Sequence, residues 1–382
     1  MALTTAPENL PAAVLQQIGA RGSAAVLRHK RRGLWQAISG AALGQRVASV
    51  ALALHAAGFG RGDVAAMLAE SRPEWVAADL GILAAGGVSA AIPPHCDAAW
   101  LAGVLRATGC RVAFVENAEQ LDKLLGLRAA CPALRRIVIF DMKGLRDFAD
   151  PDCESFAAFL ARGAPADAAA WQSMLRSITP DDPAVLVVAQ DAAPQSLRPL
   201  THRAVLAEVA AAHAMLRGAI GDERVVLLPS SDRLERLHGL YYALLHGVIS
   251  NYPENQETVL ENMQEVQPTL LGADPALWTA WHGRVARMVP AATLVQRMFY
   301  RGGIAAARRG GAPAMLARWL VLRQVRRELG LGRLRTAYLS DRPPPDVAAW
   351  AADLGIRIQR IAAEPSDASP AHRSLGAMAV EA

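Results

Sequence analysis

Three groups of residues in this sequence could do chemistry: His202 in Leu200-Thr201-His202-Arg203, Cys96 beside His95 in Pro93-Pro94-His95-Cys96-Asp97, and a crowd of arginines from Arg284 to Arg335. A histidine can hold or give a proton near neutral pH. One that opens a helix directly after a strand, as His202 does, reads first as a capping or packed residue. A cysteine becomes a nucleophile only with a base in hydrogen-bond reach and a lowered pKa, which adjacency in sequence does not provide, so Cys96 reads as a structural thiol. Ser39, Ser196 and Ser231 have no G-x-S-x-G turn around them, which leaves hydrolysis by a serine nucleophile unsupported. The four cysteines, at 96, 110, 131 and 153, follow spacings of 14, 21 and 22 and match no C-x-x-C redox or zinc pattern. No catalytic residue and no metal site is expected on these grounds.

The arginines are the more unusual feature. Twelve of them fall between Arg284 and Arg335 against one acid, Glu328, a local net charge of +11 within a chain of net +5, so the remainder carries −6. Arginine-rich helices form either a solvated face or a face drawn to an anionic membrane surface, and any such attachment is expected to be peripheral and salt-sensitive. Nucleic acid is not expected, since no helix-turn-helix, RNP or zinc-finger spacing accompanies them. No run of 18 or more apolar residues exists, and the first residues, Met1-Ala-Leu-Thr-Thr-Ala-Pro-Glu8, have neither a basic nor a long apolar region; a cytoplasmic protein is the expectation. At 52% hydrophobic and 20% charged residues, with mean hydropathy +0.17, the 382-residue chain has the composition of a globular protein of two or three domains.

The elements that must carry these residues follow from periodicity. Ser39 reads as the N-cap of a helix whose Leu43, Val47, Val50 and Leu54 recur at helical spacing until Gly58. Strand-like runs then alternate with helices: Val64–Leu68, Val88–Ile92, Arg111–Val115 and Arg136–Phe140, with helices between them. Strands separated by helices of that length are the mark of parallel βαβ units. Residues 142 to 180 read as a connecting arm with one helix near Cys153–Leu160. A second series follows, with strands at Ala184–Ala189, Arg224–Leu228, Gly247–Asn251, Thr269–Leu271, Thr336–Leu339 and Arg357–Ile361, and a helix at Leu237–His246. The expected division is 8–180 for a first α/β subdomain with its arm, 181–363 for a second that includes an arginine-rich helical segment 276–335, and a polar tail 364–382 expected to be disordered.

Several strings taken together carry a resemblance. Gly33-Leu-Trp35, Gly58-x-Gly-x-Gly62-Asp63, Ser71-Arg-Pro-Glu-Trp75-x-x-x-Asp79, Leu200-Thr-His202-Arg203, Leu234-Glu235-Arg236, Val266-x-Pro268-Thr269 and Ala273-Asp-Pro275-x-x-Trp278 resemble the N-terminal part of long-chain fatty acid–CoA ligases, in the AMP-forming adenylating superfamily. The resemblance implies two stacked doubly wound α/β subdomains. It also implies an activity that makes an acyl-adenylate from ATP and passes the acyl group to coenzyme A, with magnesium, and it implies that the family's mobile C-terminal domain and its lysine are absent.

The family's own site residues can be sought position by position. Its phosphate loop, T-S-G-T-T-G-x-P-K-G, falls on Ala189-Gln190-Asp191-Ala-Ala-Pro194-Gln-Ser196-Leu-Arg198-Pro199, which has no glycine. Glycine permits the turns that aim successive N–H groups at phosphate, and proline has no N–H to offer. Arg198 could replace only the lysine. Thr201, His202, Glu235 and Arg236 keep motif positions, Asp232 stands where the family has a histidine, Asp341 falls on its G-G-A-P, and Glu364 lies two residues from its magnesium glutamate. The expectation is therefore a truncated, degenerate relative without ATP-dependent ligation, needing no cofactor and retaining acyl or partner binding. Self-association is expected from uncovered surface. ATP, magnesium and coenzyme A would be required if it is instead an active ligase, and a non-functional remnant is the third alternative.

Overall fold

The computed structural model describes residues 9–163, 168–188, 197–255, 257–291, 293–309, 311, 312, 315 and 322–361. The chain divides into two units. The first is Met1–Arg28, Ala37–Ala211 and Pro229–Leu245; the second is His29–Gln36, Ala212–Leu228 and His246–Ala382. Strands β1 (Ala25–Arg31) and β2 (Leu34–Ser39) form the hairpin whose tip belongs to the second unit.

The first unit is built on β3 (Val64–Leu68), β4 (Val88–Ala91), β5 (Val112–Val115), β6 (Arg136–Ile139), β7 (Cys153–Ser155), β8 (Pro183–Val187) and β9 (Leu200–Thr201), in the order β7-β6-β5-β3-β4-β8-β9. Every pairing is parallel except β9 on β8. The central strands are short runs of Val, Ala, Ile and Phe because both faces of a parallel sheet are covered by its crossover helices, and β4 and β5 are buried along their whole length. The helix Gly40–Ala56 begins at Ser39, whose Oγ accepts from the Ala42 N–H at 3.2 Å. It packs on the helix Pro73–Ala84, which is buried on all sides except at Glu74 and is apolar apart from Glu74 and Asp79.

Those two helices meet closely at Gly81. A Cβ built there would lie 2.3 Å from Val50 Cγ1, so Gly81→Ala should separate the pair and cost about 1–3 kcal/mol. Urea unfolding with an unchanged midpoint would contradict this.

The second unit places β10 (Glu223–Val225) parallel to β11 (Ile249–Tyr252). A separate sheet, β12 (Leu270–Gly272), β13 (Thr336–Leu339) and β14 (Arg357–Arg360), is parallel in that order. Its core gathers Leu271, Trp278, Trp281, Leu339, Val347 and Trp350 beneath the helices Pro275–Ala291, Leu294–Arg309 and Pro345–Asp353.

Three details differ from the sequence reading. The arm 142–180 holds strand β7, paired with β6 through Ile137–Cys153 and Ile139–Ser155, and two helices, Phe156–Arg162 and Ala168–Ser177. Residues 183–201, read as opening the second subdomain, complete the first sheet, because β8 pairs with β4. The segment read as one α-helix over 237–246 is a π-type turn, Leu234–Tyr241, followed by an α-helical turn, Tyr242–His246.

Candidate functional site

In an open parallel sheet, ligands settle outside the carboxyl ends of the strands, where the strand order reverses. Here the chain leaves β3 for β4 on one side and then crosses to β5 on the other. Three short segments meet at that reversal: Glu70-Ser71-Arg72 after β3, His95-Cys96 after β4 and Glu116 after β5. Glu116 Oε2 accepts from the Glu70 N–H at 2.9 Å, Glu116 Oε1 lies 3.8 Å from Arg72 Nη1, and His95 Nε2 lies 3.4 Å from Glu70 Oε1. Ser71 Oγ and Ser230 Oγ share a 2.8 Å hydrogen bond. Burial first, and then the Glu116 carboxylate, push the Glu70 carboxyl above its ordinary pKa, with His95 opposing. This lip presents two carboxylates, one arginine, one histidine and two hydroxyls, a set suited to hydroxyl or cationic groups and unfavourable to an approaching polyanion.

Behind the lip lies a buried charged network that the sequence reading did not foresee. Arg236 and Asp79, both fully buried, form an ion pair. Tyr241 Oη donates to Asp79 Oδ2 at 2.8 Å, and Ser89 Oγ donates to Asp79 Oδ1 at 2.6 Å. The guanidinium donates through Nε to Tyr241 Oη at 3.1 Å, through Nη1 to the Leu186 carbonyl at 3.2 Å, and through Nη2 to the Ser89 carbonyl at 3.1 Å, and it lies 5.3 Å over the Trp75 ring. Burial alone would lower the Arg236 pKa, yet the Asp79 charge and Tyr241 outweigh it and raise it, so the guanidinium keeps its proton. Arg236 and Tyr241 are five residues apart. A π-type turn, closed by i to i+5 bonds, suits them to one partner better than an α-helix would.

The other motif positions are structural as well. Thr201 Oγ1 accepts from the Ala204 N–H at 3.2 Å and caps the helix His202–Leu216. His202 is buried, its Nδ1 accepting from the Leu10 N–H at 3.4 Å, and burial lowers it to about 4, with Asp182 opposing. Asp232 Oδ1 accepts from the Glu235 N–H at 3.1 Å and so opens the π-type turn, while Glu235 itself is buried. His238 is buried and lies 3.1 Å from Glu208 Oε1, whose other carboxylate oxygen accepts from Arg233 at 2.6 Å. Burial would raise the Glu208 carboxyl, but the His238 hydrogen bond and the Arg233 charge outweigh it and hold it low.

Arg198 is exposed and donates from Nη1 to the Leu197 carbonyl at 2.9 Å. Asp341 is exposed just after β13 in the second unit. Ala189, Gln190, Asp191 and Ser196 lie outside the described residues, as does Glu364. The structure thus pairs Arg236 with Asp79, buries Glu235 in the same π-type turn, and engages Thr201, His202 and Asp232 with backbone N–H groups. The thiols of Cys96, Cys110, Cys131 and Cys153 are all free, and burial pushes each above its ordinary value, Cys110 to about 12 and Cys153 to about 11. Among the described residues no group of three His, Cys, Asp or Glu side chains could hold a metal ion.

Comparison with known proteins gives three kinds of similarity. Residues 16–187 match the family described as AMP-binding enzyme. A protein named as a fatty-acid–CoA ligase, fadD11, of Mycobacterium tuberculosis is 28% identical over 209 residues, covering 50% of this chain and 36% of its own length; the long-chain-fatty-acid–CoA ligase FadD15 of Mycobacterium bovis is 25% identical over 253 residues, covering 64% and 40%. The chain therefore spans well under half the length of these relatives. Among solved structures, the adenylation domain of a carboxylate reductase from Mycobacterium chelonae superposes with a TM-score of 0.68 at 18% identity, covering 94% of this chain and 58% of that one, a likeness of fold.

Proposed function

We propose that this member of the AMP-binding enzyme family, similar to the fatty-acid–CoA ligases, keeps their framework without ATP-dependent ligase chemistry and uses it to bind a fatty acyl ligand. One observation carries the reading. The interval Ala189–Pro199, which follows β8 where phosphates would be held, has no glycine, two prolines and an acid, Asp191.

The residues at hand do not fit ATP and magnesium. Holding phosphoryl charge requires convergent N–H donors, a cation free to reach the phosphates and a carboxylate for the metal. The glycine-free interval cannot supply the first. Asp232 is occupied in capping the turn that delivers Arg236, and the lip nearest the strand reversal adds negative rather than positive charge. What persists are the parts that organise the fold.

Titration of the purified chain by calorimetry tests the reading. With ATP and magnesium no heat is expected, and ATP should move the melting temperature by less than about 1 °C. A ligand present at fifty times its dissociation constant would add about 2.3 kcal/mol and move it by about 3 °C. Saturable heat with a long-chain fatty acid is expected. An ATP shift of that size, or acyl-CoA formed above a boiled control, would restore the active-ligase reading. Silence with the fatty acid would remove the acyl-binding half of the proposal.

A further inference from the structure

The helix Leu294–Arg309 has two apolar sides, and only one of them is used by the fold. At about 100° per residue, Tyr300, Gly303, Ile304 and Ala307 share one face and pack toward the core of the second unit. On the opposite face Leu294, Val295, Met298 and Phe299 are 72%, 60%, 74% and 61% exposed. Single exposed apolar residues are ordinary, but four large ones on one face of one helix are a patch. Arg297, Arg301 and Arg308 fall together on one flank of that patch, and Arg309 ends the helix. Arg308 is engaged by Asp353 at 2.9 Å, whereas the exposed Arg301 and Arg309 enter no ion pair among the described residues.

We propose that this helix is a bilayer-docking element, lying in the plane of an anionic membrane surface. Its apolar face would enter the headgroup–acyl boundary and its arginines would meet lipid phosphates. An in-plane amphipathic helix needs one apolar face and flanking cations, which this one has. It cannot act by spanning, because no helix among the described residues is long and apolar enough to cross a membrane. Charge decides between a bilayer and a second copy of the chain. Two copies meeting through this face would bring arginine against arginine, in a segment of net +11, whereas an anionic surface supplies the opposite sign. Binding by arginines alone would vanish as salt screens them; the apolar face predicts a part that survives.

The test is sedimentation of the full chain with vesicles of phosphatidylcholine, with and without ~30 mol % phosphatidylglycerol. Retention is expected on the anionic vesicles, weakened but not abolished between about 0.1 and 0.5 M salt. The double variant Met298→Asp, Phe299→Asp should bind at least about tenfold more weakly while keeping the wild-type melting temperature, since both side chains are exposed. In Phe299→Trp the indole emission should shift to the blue on anionic vesicles only. Failure of the wild-type chain to bind, or binding by the double variant equal to wild type, would overturn the proposal. So would a dimer by light scattering that the double variant dissolves, for then the face belongs to a second copy.

Discussion

Asp79→Ala is expected to be the most damaging single substitution in the first unit, costing about 3–5 kcal/mol. The loss does not come from the Coulomb attraction alone. Removing the carboxylate leaves the Arg236 guanidinium charged and fully buried, and strands the Tyr241 and Ser89 hydroxyls that donated to Asp79. Asp79→Asn, which keeps the shape and loses the charge, should fall between wild type and Asp79→Ala. The double variant Asp79→Leu, Arg236→Met should be more stable than either single one, because well-packed apolar residues replace a buried ion pair at little cost once both charges are gone. Urea midpoints of wild type, Asp79→Ala, Asp79→Asn, the singles Asp79→Leu and Arg236→Met, and their double variant decide the matter. An unchanged midpoint for Asp79→Ala would show that the pair is not holding the fold, and additive losses in the double variant would show that the two residues are not coupled.

Acid should unfold the chain through histidines buried in their neutral form. His202 has its folded value lowered to about 4, from an ordinary value near 6.5, so between those two pH values the unfolded chain binds a proton that the folded chain refuses. Stability then falls as pH falls through that window, by about 3 kcal/mol at pH 4 from this residue, and is level above it. His246, in the second unit, is lowered to about 4 by burial and then by His213, whose ring stacks on it at 4.0 Å, so it acts in the same direction. Urea midpoints at pH 7.5 and 4.5 should therefore differ more for wild type than for His202→Gln, whose side chain can still accept from the Leu10 N–H. Equal pH slopes for the two proteins would mean that His202 is not the titrating group.

Local pattern was enough to place much of the fold. Ser39 with its helical successors, and the runs at 64–68, 112–115, 136–139 and 336–339, could be read directly because each is decided by its own spacing of apolar residues. The partnership of Asp79 with Arg236, 157 residues away, could not, since nothing local to either residue names the other. Both nevertheless sat inside strings that carried the family resemblance. The structure gives the physical reason for that resemblance: Trp75, Asp79 and Arg236 are parts of one core, and Thr201 and Asp232 are caps, so they serve the fold whether or not any reaction occurs. The interval Ala189–Pro199, where the resemblance leads one to expect a phosphate loop, contains no glycine. The carboxylate lip of Glu70 and Glu116 escaped notice because it is assembled by two strand ends that only the sheet order brings together.

The π-type turn at Leu234–Tyr241 constrains how this chain could be recombined with its relatives. Such a turn holds one residue more per hydrogen-bonded ring than an α-helix, so it behaves as a fixed insertion. Deleting a single residue between Leu234 and Tyr241 would rotate everything on one side of it by about 100°, carrying either Arg236 or Tyr241 away from Asp79. A chimera joined anywhere between residues 79 and 236 would thus need both the charges and the residue count of the turn to agree between parents. Two segments far apart along the chain are heritable here only as one unit.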